Sequence, residues 1–293
     1  MPQDRVLTFH DPELQSLLVP GLRIRRGPPP PDLGIGPHAA GGTEWRVVDG
    51  EVAVRTTRHT TGAAVEVVGV ADYALPDGAN TVDGWPGAEI SQGLVTEAFQ
   101  RSVVPLLLSH RGANYLHASA VTTLSGVVAL CGRSGTGKST LAAALVRTGY
   151  GFWADDAAVL AVAPGSAPPR SVRLRSTLRL DDESLRLVGS TASPAAPKVG
   201  VGEFRPLAGV VVLERGSTRG GDGIERLRAG AALTALLEHA LCFSLHGDDR
   251  ARMVQGYLSL VEGVPVSRLV FTPDPALFPS LVKRLQAVLG PAA

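Results

Sequence analysis

The chain has 293 residues, 44% of them apolar and 19% charged, with a formal net charge of +1. That balance is globular and long enough for two moderate domains, each with its own core. It gives no electrostatic reason to expect a nucleic-acid or acidic-membrane partner. Apolar runs such as "VVPLLL" at 103–108 fall far short of the ~20 residues a membrane-spanning helix needs, and two cysteines, Cys131 and Cys242, are too few for a framework of several disulfides.

The opening stretch "MPQDRVLTFHDPELQ" lacks a basic segment followed by an apolar run, so no signal peptide is read there. The expectation is a soluble protein of the reducing cytoplasm, with no membrane partner and with homo-oligomerisation left open. "RRGPPPPDLGIGP" at 25–37 favours extended backbone and reads as a surface connection. Around it the first third is β-rich. "WRVVDGEVAVRTT" sets Asp49-Gly50 between two runs of strand formers, a hairpin signal, and "AAVEVVGVADYAL" supplies a further strand. From Ser91 to Ser109, Leu94, Val95, Ala98, Phe99, Ser102 and Val103 recur at helical spacing, with Pro105 expected to bend or end the helix.

Beyond Gly112 the pattern becomes strand, loop, helix, strand. "GVVALCG" is a short apolar run ending in glycine, "STLAAALVR" is rich in helix formers, and "GFWADDAAVLAVA" returns to strand character. The boundary therefore divides a β-rich region, 1–111, suited to holding a substrate or partner, from an α/β region, 112–293. A loop is expected at 189–202, "GSTASPAAPKVGVG", before the strand "AGVVVLE". Near the end, Leu233, Leu236, Leu237 and Leu241 share one helical face, and Leu281, Val282, Leu285 and Leu289 another, both read as core packing.

Between strand and helix lies "GRSGTGKST", whose Gly132, Gly137, Lys138 and Ser139 fit the phosphate-loop pattern G-x-x-x-x-G-K-[ST]. Glycines let successive N–H groups converge on phosphate oxygens, and the following helix presents its positive end. A plain strand-to-helix turn needs neither lysine nor serine at those places. Gly132, Arg133, Ser134, Gly135, Thr136, Gly137, Lys138, Ser139 and Thr140 are thus the candidate nucleotide-binding set. Lys138 would reach the β- and γ-phosphates of ATP, and Ser139 would give a hydroxyl to Mg²⁺. Downstream, Asp155 and Asp156 end a short apolar segment. Adjacent carboxylates can hold Mg²⁺ or accept a proton from an attacking hydroxyl, but strand neighbours point to opposite faces, so both serve one site only if the backbone turns there. Upstream, His117 in "YLHASAV" can approach Asp155 if its strand lies beside the one leading into the loop.

"LHASAV", "GRSGTGKST", "TGYGFWADDAAVL" and "VGEFRPLAGVVVLE" together resemble the HPr kinase/phosphorylase family, in particular the shorter bacterial homologues found beside peptide-modification genes. The resemblance covers roughly 112–290. It implies a phosphate-loop kinase core of the HPr kinase/phosphoenolpyruvate carboxykinase type, a twisted mixed sheet with flanking helices, using ATP and Mg²⁺. By the same resemblance Asp155 is the base that takes a proton from a serine hydroxyl, Asp156 the adjacent acid beside the metal, His117 its support, and Lys138 and Ser139 the loop residues. The family's glutamate-arginine signature loop is absent in its usual form, with "RLRSTLRLDDESLRL" at 173–187 in that interval, and the first third does not look like the regulatory domain of the full-length enzymes. A hydroxyl other than that of HPr, such as a serine of a ribosomally made peptide, therefore fits better as acceptor. Phosphoryl transfer needs positive charge outside the lysine, for which Arg133, Lys198 and Arg205 are the candidates. A small-molecule kinase of the same fold and a nucleotide-gated binding module are the rival readings.

Overall fold

The computed structural model describes residues 21–34, 42–46, 50–162, 168–174, 176, 178, 180–190, 202–216, 223–243 and 247–292. Asp49, Lys198 and most of the loop expected at 189–202 lie outside these. Among the described residues the chain is a mixed α/β protein that divides into two units: Met1–Arg111 with Phe243–Arg250, and Gly112–Cys242 with Ala251–Ala293.

In the first unit six strands form one sheet: β1 (Gly21–Ile24), β2 (Thr43–Arg46), β3 (Val52–His59), β4 (Gly62–Val67), β5 (Ala71–Pro76) and β6 (Thr81–Pro86), in the order β1-β6-β5-β4-β3-β2. β2 and β3 pair antiparallel, as the turn signal between them predicts. "AAVEVVGVADYAL", expected to be a single strand, is instead the hairpin β4–β5, because the chain reverses where the Val70 amide bonds back to the Val67 carbonyl at 2.9 Å. Along β5 the buried residues Ala71, Tyr73 and Leu75 alternate with more exposed ones, the pattern of a sheet covered on one face. The Tyr73 hydroxyl donates to the Val95 carbonyl at 2.8 Å, which satisfies a phenol that burial would otherwise strand.

Val95 belongs to a continuous helical stretch: α1 (Gln92–Ala98), a π-helical turn over Phe99–Val103, and α2 (Val104–His110). Pro105 does not end this helix. The preceding turn widens so that the Val104 amide reaches the Phe99 carbonyl, and the widened turn gives the proline ring room it lacks in a regular α-helix. The described part of the proline-rich stretch at 25–34 is largely exposed and contains a single 3-10 turn, Pro31–Leu33.

The second unit holds β7 (Asn114–Leu116), β8 (Ala118–Thr123), β9 (Gly126–Cys131), α3 (Lys138–Arg147), β10 (Gly151–Ala154), β11 (Ala158–Ala161), β12 (Arg170–Val172), α4 (Asp182–Val188), β13 (Phe204–Arg215), β14 (Gly223–Arg226), α5 (Ala229–Leu237), β15 (Ala240–Leu241), α6 (Gly247–Gly263) from Ala251 onward, β16 (Val266–Phe271) and α7 (Phe278–Leu289). The long strand β13 joins its ten-stranded mixed sheet. Phe204–Pro206 pair antiparallel with β12, Leu207–Val212 run parallel to β9, and Val210–Arg215 run parallel to β16. Beyond β9 the order continues through β8 to β10, both pairings antiparallel.

Two cores cover the two faces of this sheet. Val127, Ala129, Cys131, Val210 and Val212 pack with Ala232, Leu236, Tyr257 and Leu260 of α5 and α6, while Val128, Leu130, Val211 and Leu213 pack with Leu141, Leu145, Leu281 and Leu285 of α3 and α7. Burial on both faces is why β9 reads as an unbroken apolar run, each such side chain contributing about 1.5–3 kcal/mol. The face Leu281, Val282, Leu285 and Leu289 is buried as its spacing predicts. The other predicted face is not continuous: α5 ends at Leu237, which is 36% exposed, and Leu241 belongs to β15. No helix among the described residues is long and apolar enough to cross a membrane.

Candidate functional site

The glycine-rich motif spans the turn from β9 into α3. Gly132 is at φ 155, and a Cβ there would meet Thr136 Oγ1 at 2.6 Å and the Leu213 carbonyl at 2.9 Å, so no other residue fits beside β13. Gly137, at φ 96, places the chain in the left-handed region immediately before Lys138 starts the helix, and its carbonyl accepts the Leu141 amide at 2.9 Å. The Arg133 carbonyl takes both the amide and the hydroxyl of Thr136, at 3.2 and 2.8 Å, which closes the loop on itself. Among the described residues, the N–H groups of Gly135, Gly137, Lys138 and Ser139 have no hydrogen-bond partner. Free N–H groups just before a helix and in its first turn are donors that an anion can use.

Lys138 is 7% exposed, and its ammonium donates to the carbonyls of Gly132 at 2.9 Å and Arg133 at 3.2 Å. Burial holds it below the usual lysine range, against the opposing charges of Cys131, Asp155 and Asp156. Burial also pushes the Cys131 thiol up to about 12, so near neutral pH it carries no charge and the carboxylates alone oppose the desolvation.

The two aspartates lie between β10 and β11, and the backbone does turn there: Asp156 is at φ 67. Oδ1 of Asp155 accepts from the hydroxyls of Ser139 at 2.8 Å and Ser119 at 2.5 Å. Each hydroxyl has one proton and spends it on the carboxylate, so the 3.4 Å between the two serine oxygens is a contact and not a further bond. Oδ2 of Asp155 has no partner among the described residues. Ser176 fixes the backbone of Asp155, accepting from its amide at 2.8 Å and donating to its carbonyl at 3.1 Å.

His117 Nδ1 lies 2.9 Å from the Asp156 carbonyl. A carbonyl only accepts, so Nδ1 carries a proton and donates it. The His117 amide in turn donates to the carbonyl of His239 at 2.8 Å. Burial, reinforced by the charges of Lys138, His117 and Arg133 and opposed by Glu238, holds His239 below the usual histidine range.

A cavity of about 390 Å³ opens over this constellation. Ser134 through Ser139, His117 and Asp156 line one end, whereas Asp155 stands behind Ser139 and does not line it. Of the cations proposed from the sequence, Arg133 is exposed and outside the lining, and Arg205 is drawn away to Glu203 at 2.8 Å and to the Trp153 ring at 5.7 Å. The cation present is Arg215, which donates to the Gly135 carbonyl and makes no ion pair among the described residues. It ends β13, which runs parallel to β9, and ligands gather at the carboxyl ends of parallel strands. Ser119 was legible in the sequence, two residues after His117 and so on the same side of an extended chain.

Donors, ammonium, hydroxyl and the Asp156 carboxylate thus line one cavity, with Asp155 behind Ser139. No group of three or more His, Cys, Asp or Glu side chains among the described residues is placed to hold a metal ion unaided. No protein-family model and no curated protein matches the sequence. Among solved structures, the chain is similar to the Hpr(Ser) kinase/phosphatase from Coxiella burnetii at 13% identity and a TM-score of 0.31, over 60% of this chain and 97% of that one; a likeness at that score carries no argument for this chain.

Proposed function

We propose that the protein is an ATP-dependent kinase that transfers the γ-phosphate to a hydroxyl, that of a serine in a peptide or protein. The observation that carries this is the Ser119–Asp155–Ser139 cluster directly behind the loop. A nucleotide-gated binding module needs the loop alone, whereas a kinase needs a carboxylate beside it with an oxygen to spare.

In this reading the four unpartnered N–H groups of the loop receive phosphate oxygens, and Lys138 turns from the Gly132 and Arg133 carbonyls to the β- and γ-phosphates. Ser139 and Asp156, both lining the cavity, offer the hard oxygen donors that suit Mg²⁺, which typically takes one or two protein oxygens and completes its shell with phosphates and water. Bound there, Mg²⁺ would neutralise charge on the β- and γ-phosphates. Asp155, one residue from Asp156 of the cavity lining, takes the acceptor's proton on Oδ2 through one water, while Ser119 and Ser139 hold Oδ1. The new bond joins acceptor oxygen to γ-phosphorus, and the bond from phosphorus to the β–γ bridging oxygen breaks to release ADP. Arg215 adds positive charge across the loop, and His117 holds the Asp156 peptide in place.

Incubation with labelled ATP, Mg²⁺ and serine-containing peptides tests the reading, with small hydroxyl compounds as the rival acceptors. Lys138→Ala should abolish transfer and weaken ATP binding about 10- to 100-fold, the value of a charge-assisted contact to phosphate. Unchanged affinity together with unchanged turnover would refute the role given to the loop.

A further inference from the structure

Asp156 sits in its left-handed conformation between two held carbonyls. The one before it, of Asp155, accepts from the Ser176 hydroxyl at 3.1 Å, and its own accepts from His117 Nδ1 at 2.9 Å. Ser176 Oγ also accepts the Asp155 amide at 2.8 Å, so one hydroxyl engages both backbone groups of the residue that carries the proposed base. A neighbouring strand would do this in a sheet, but among the described residues β10 pairs on one side only, with β8. Side chains stand in for the second neighbour: Ser176 at Asp155, and Arg173, whose guanidinium donates to the Phe152 carbonyl at 2.8 Å.

Ser176 can impose its geometry because the chain on either side of it is fixed independently of Asp155. The Arg173 amide donates to the Glu203 carbonyl and the Gly202 amide to the Arg173 carbonyl, both at 2.8 Å. Leu178 is buried in the core with Leu141 and Leu145, and Asp181 caps α4 by accepting the Ser184 amide at 2.8 Å. Ser176 is not among the residues that line the cavity, so its effect on the reaction runs through Asp155. We infer that Ser176 is a positioning residue for phosphoryl transfer. Its hydroxyl fixes the Asp155 peptide, and with it the direction of the Cα–Cβ bond, so that Oδ1 meets Ser119 and Ser139 and Oδ2 is left for the acceptor's proton. A hydroxyl is required, since only a group that both donates and accepts holds an amide and a carbonyl at once. The inference rests on the kinase reading for the role of Asp155 and adds a residue which that reading does not use.

Ser176→Ala removes the hydroxyl, and Ser176→Thr and Ser176→Val compare two side chains of similar shape, of which only the first has one. For each full-length variant the readouts are single-turnover transfer from saturating Mg²⁺·ATP to a serine peptide, Mg²⁺·ATP affinity by calorimetry, and melting temperature. Ser176→Ala and Ser176→Val should slow transfer about 10- to 100-fold, the scale of a misplaced reacting group, with affinity within about twofold of wild type, and Ser176→Thr should recover the rate to within about threefold. In an Asp155→Asn background, Ser176→Ala should slow transfer no further, because a positioning residue acts through the group it positions. If Ser176→Ala lowers the melting temperature and leaves transfer unchanged, the assignment is overturned and the contact is structural only. Ser176→Thr as slow as Ser176→Val, or an equal further loss in the Asp155→Asn background, overturns it as well. Should Ser176→Ala fail to fold, the comparison of threonine with valine decides. Absence of transfer by wild type to any hydroxyl would overturn the kinase reading itself, and the positioning role with it.

Discussion

Replacing Asp155 by asparagine separates catalysis from binding because the structure makes the change nearly isosteric. The asparagine oxygen can take the place of Oδ1 and accept from Ser119 and Ser139, while its amide nitrogen replaces Oδ2, which has no partner among the described residues. Two charge-assisted bonds become neutral ones, a loss of about 1–1.5 kcal/mol each. Roughly 2–3 kcal/mol of lost stability lowers the melting temperature and leaves a domain of ordinary stability folded. Asp155 does not line the cavity, so Mg²⁺·ATP affinity should change by no more than a few fold. The amide cannot take a proton, and single-turnover transfer from saturating ATP should fall about 10²- to 10⁴-fold. Near-normal transfer in this variant would sink the mechanism and favour the nucleotide-gated binding module. A large loss of Mg²⁺ affinity would move Asp155 from base to metal ligand.

Ser119→Ala removes one of the two donors to Asp155 from a fully buried position, and should cost about 1.5–3 kcal/mol of stability as well as slowing transfer; an unchanged melting temperature would show that the bond contributes nothing. His239 gives a pH prediction. Its folded pKa lies below the unfolded value, so the unfolded chain binds the extra proton first as pH falls through the window beneath about 6.5, and stability is lost on acidification. His239→Leu should therefore show a smaller drop in melting temperature between pH 7 and pH 5 than wild type does, and equal drops would exclude burial of this ring as a cause.

The glycine-rich turn before α3 was legible as a turn because its pattern is compact: a strand apolar on both faces, a glycine that passes close to β13, and a lysine and serine at fixed offsets. Helical periodicity likewise identified Leu281, Val282, Leu285 and Leu289. What failed is what depends on distant partners. Leu237 and Leu241 share a helical face on paper, but the chain leaves the helix after Leu237 and Leu241 pairs with β7. Pro105 was read as a bend or an end because a widened turn has no sequence period of its own. Arg205 looked available as a cation until Glu203 and Trp153 claimed it, a competition visible only once β12 and β13 pair. Arg215 lies ten residues further on and could be chosen only after β13 was known to run parallel to β9.

The aspartate pair shows how one backbone angle turns an adjacent pair of carboxylates into a site. In a regular strand, neighbours diverge to opposite faces, and here those faces belong to packed layers: Ala154 and Ala158, on either side of the turn, are buried in the core. One carboxylate would then be driven into an apolar layer. The left-handed conformation of Asp156 avoids this, directing Asp155 to the serines behind the loop and Asp156 to the cavity. A non-glycine residue in that conformation costs about 1–2 kcal/mol, less for aspartate than for most. The bond from His117 Nδ1 to the Asp156 carbonyl holds the peptide there. Glycine would adopt the angle at lower cost, as Gly135 at φ 77 and Gly137 at φ 96 do in the loop, but glycine has no carboxylate to offer the cavity. Strain kept where glycine would take a carboxylate away from the cavity is what the proposed site leads one to expect, and the His117 contact joins that peptide to the strand beside the loop.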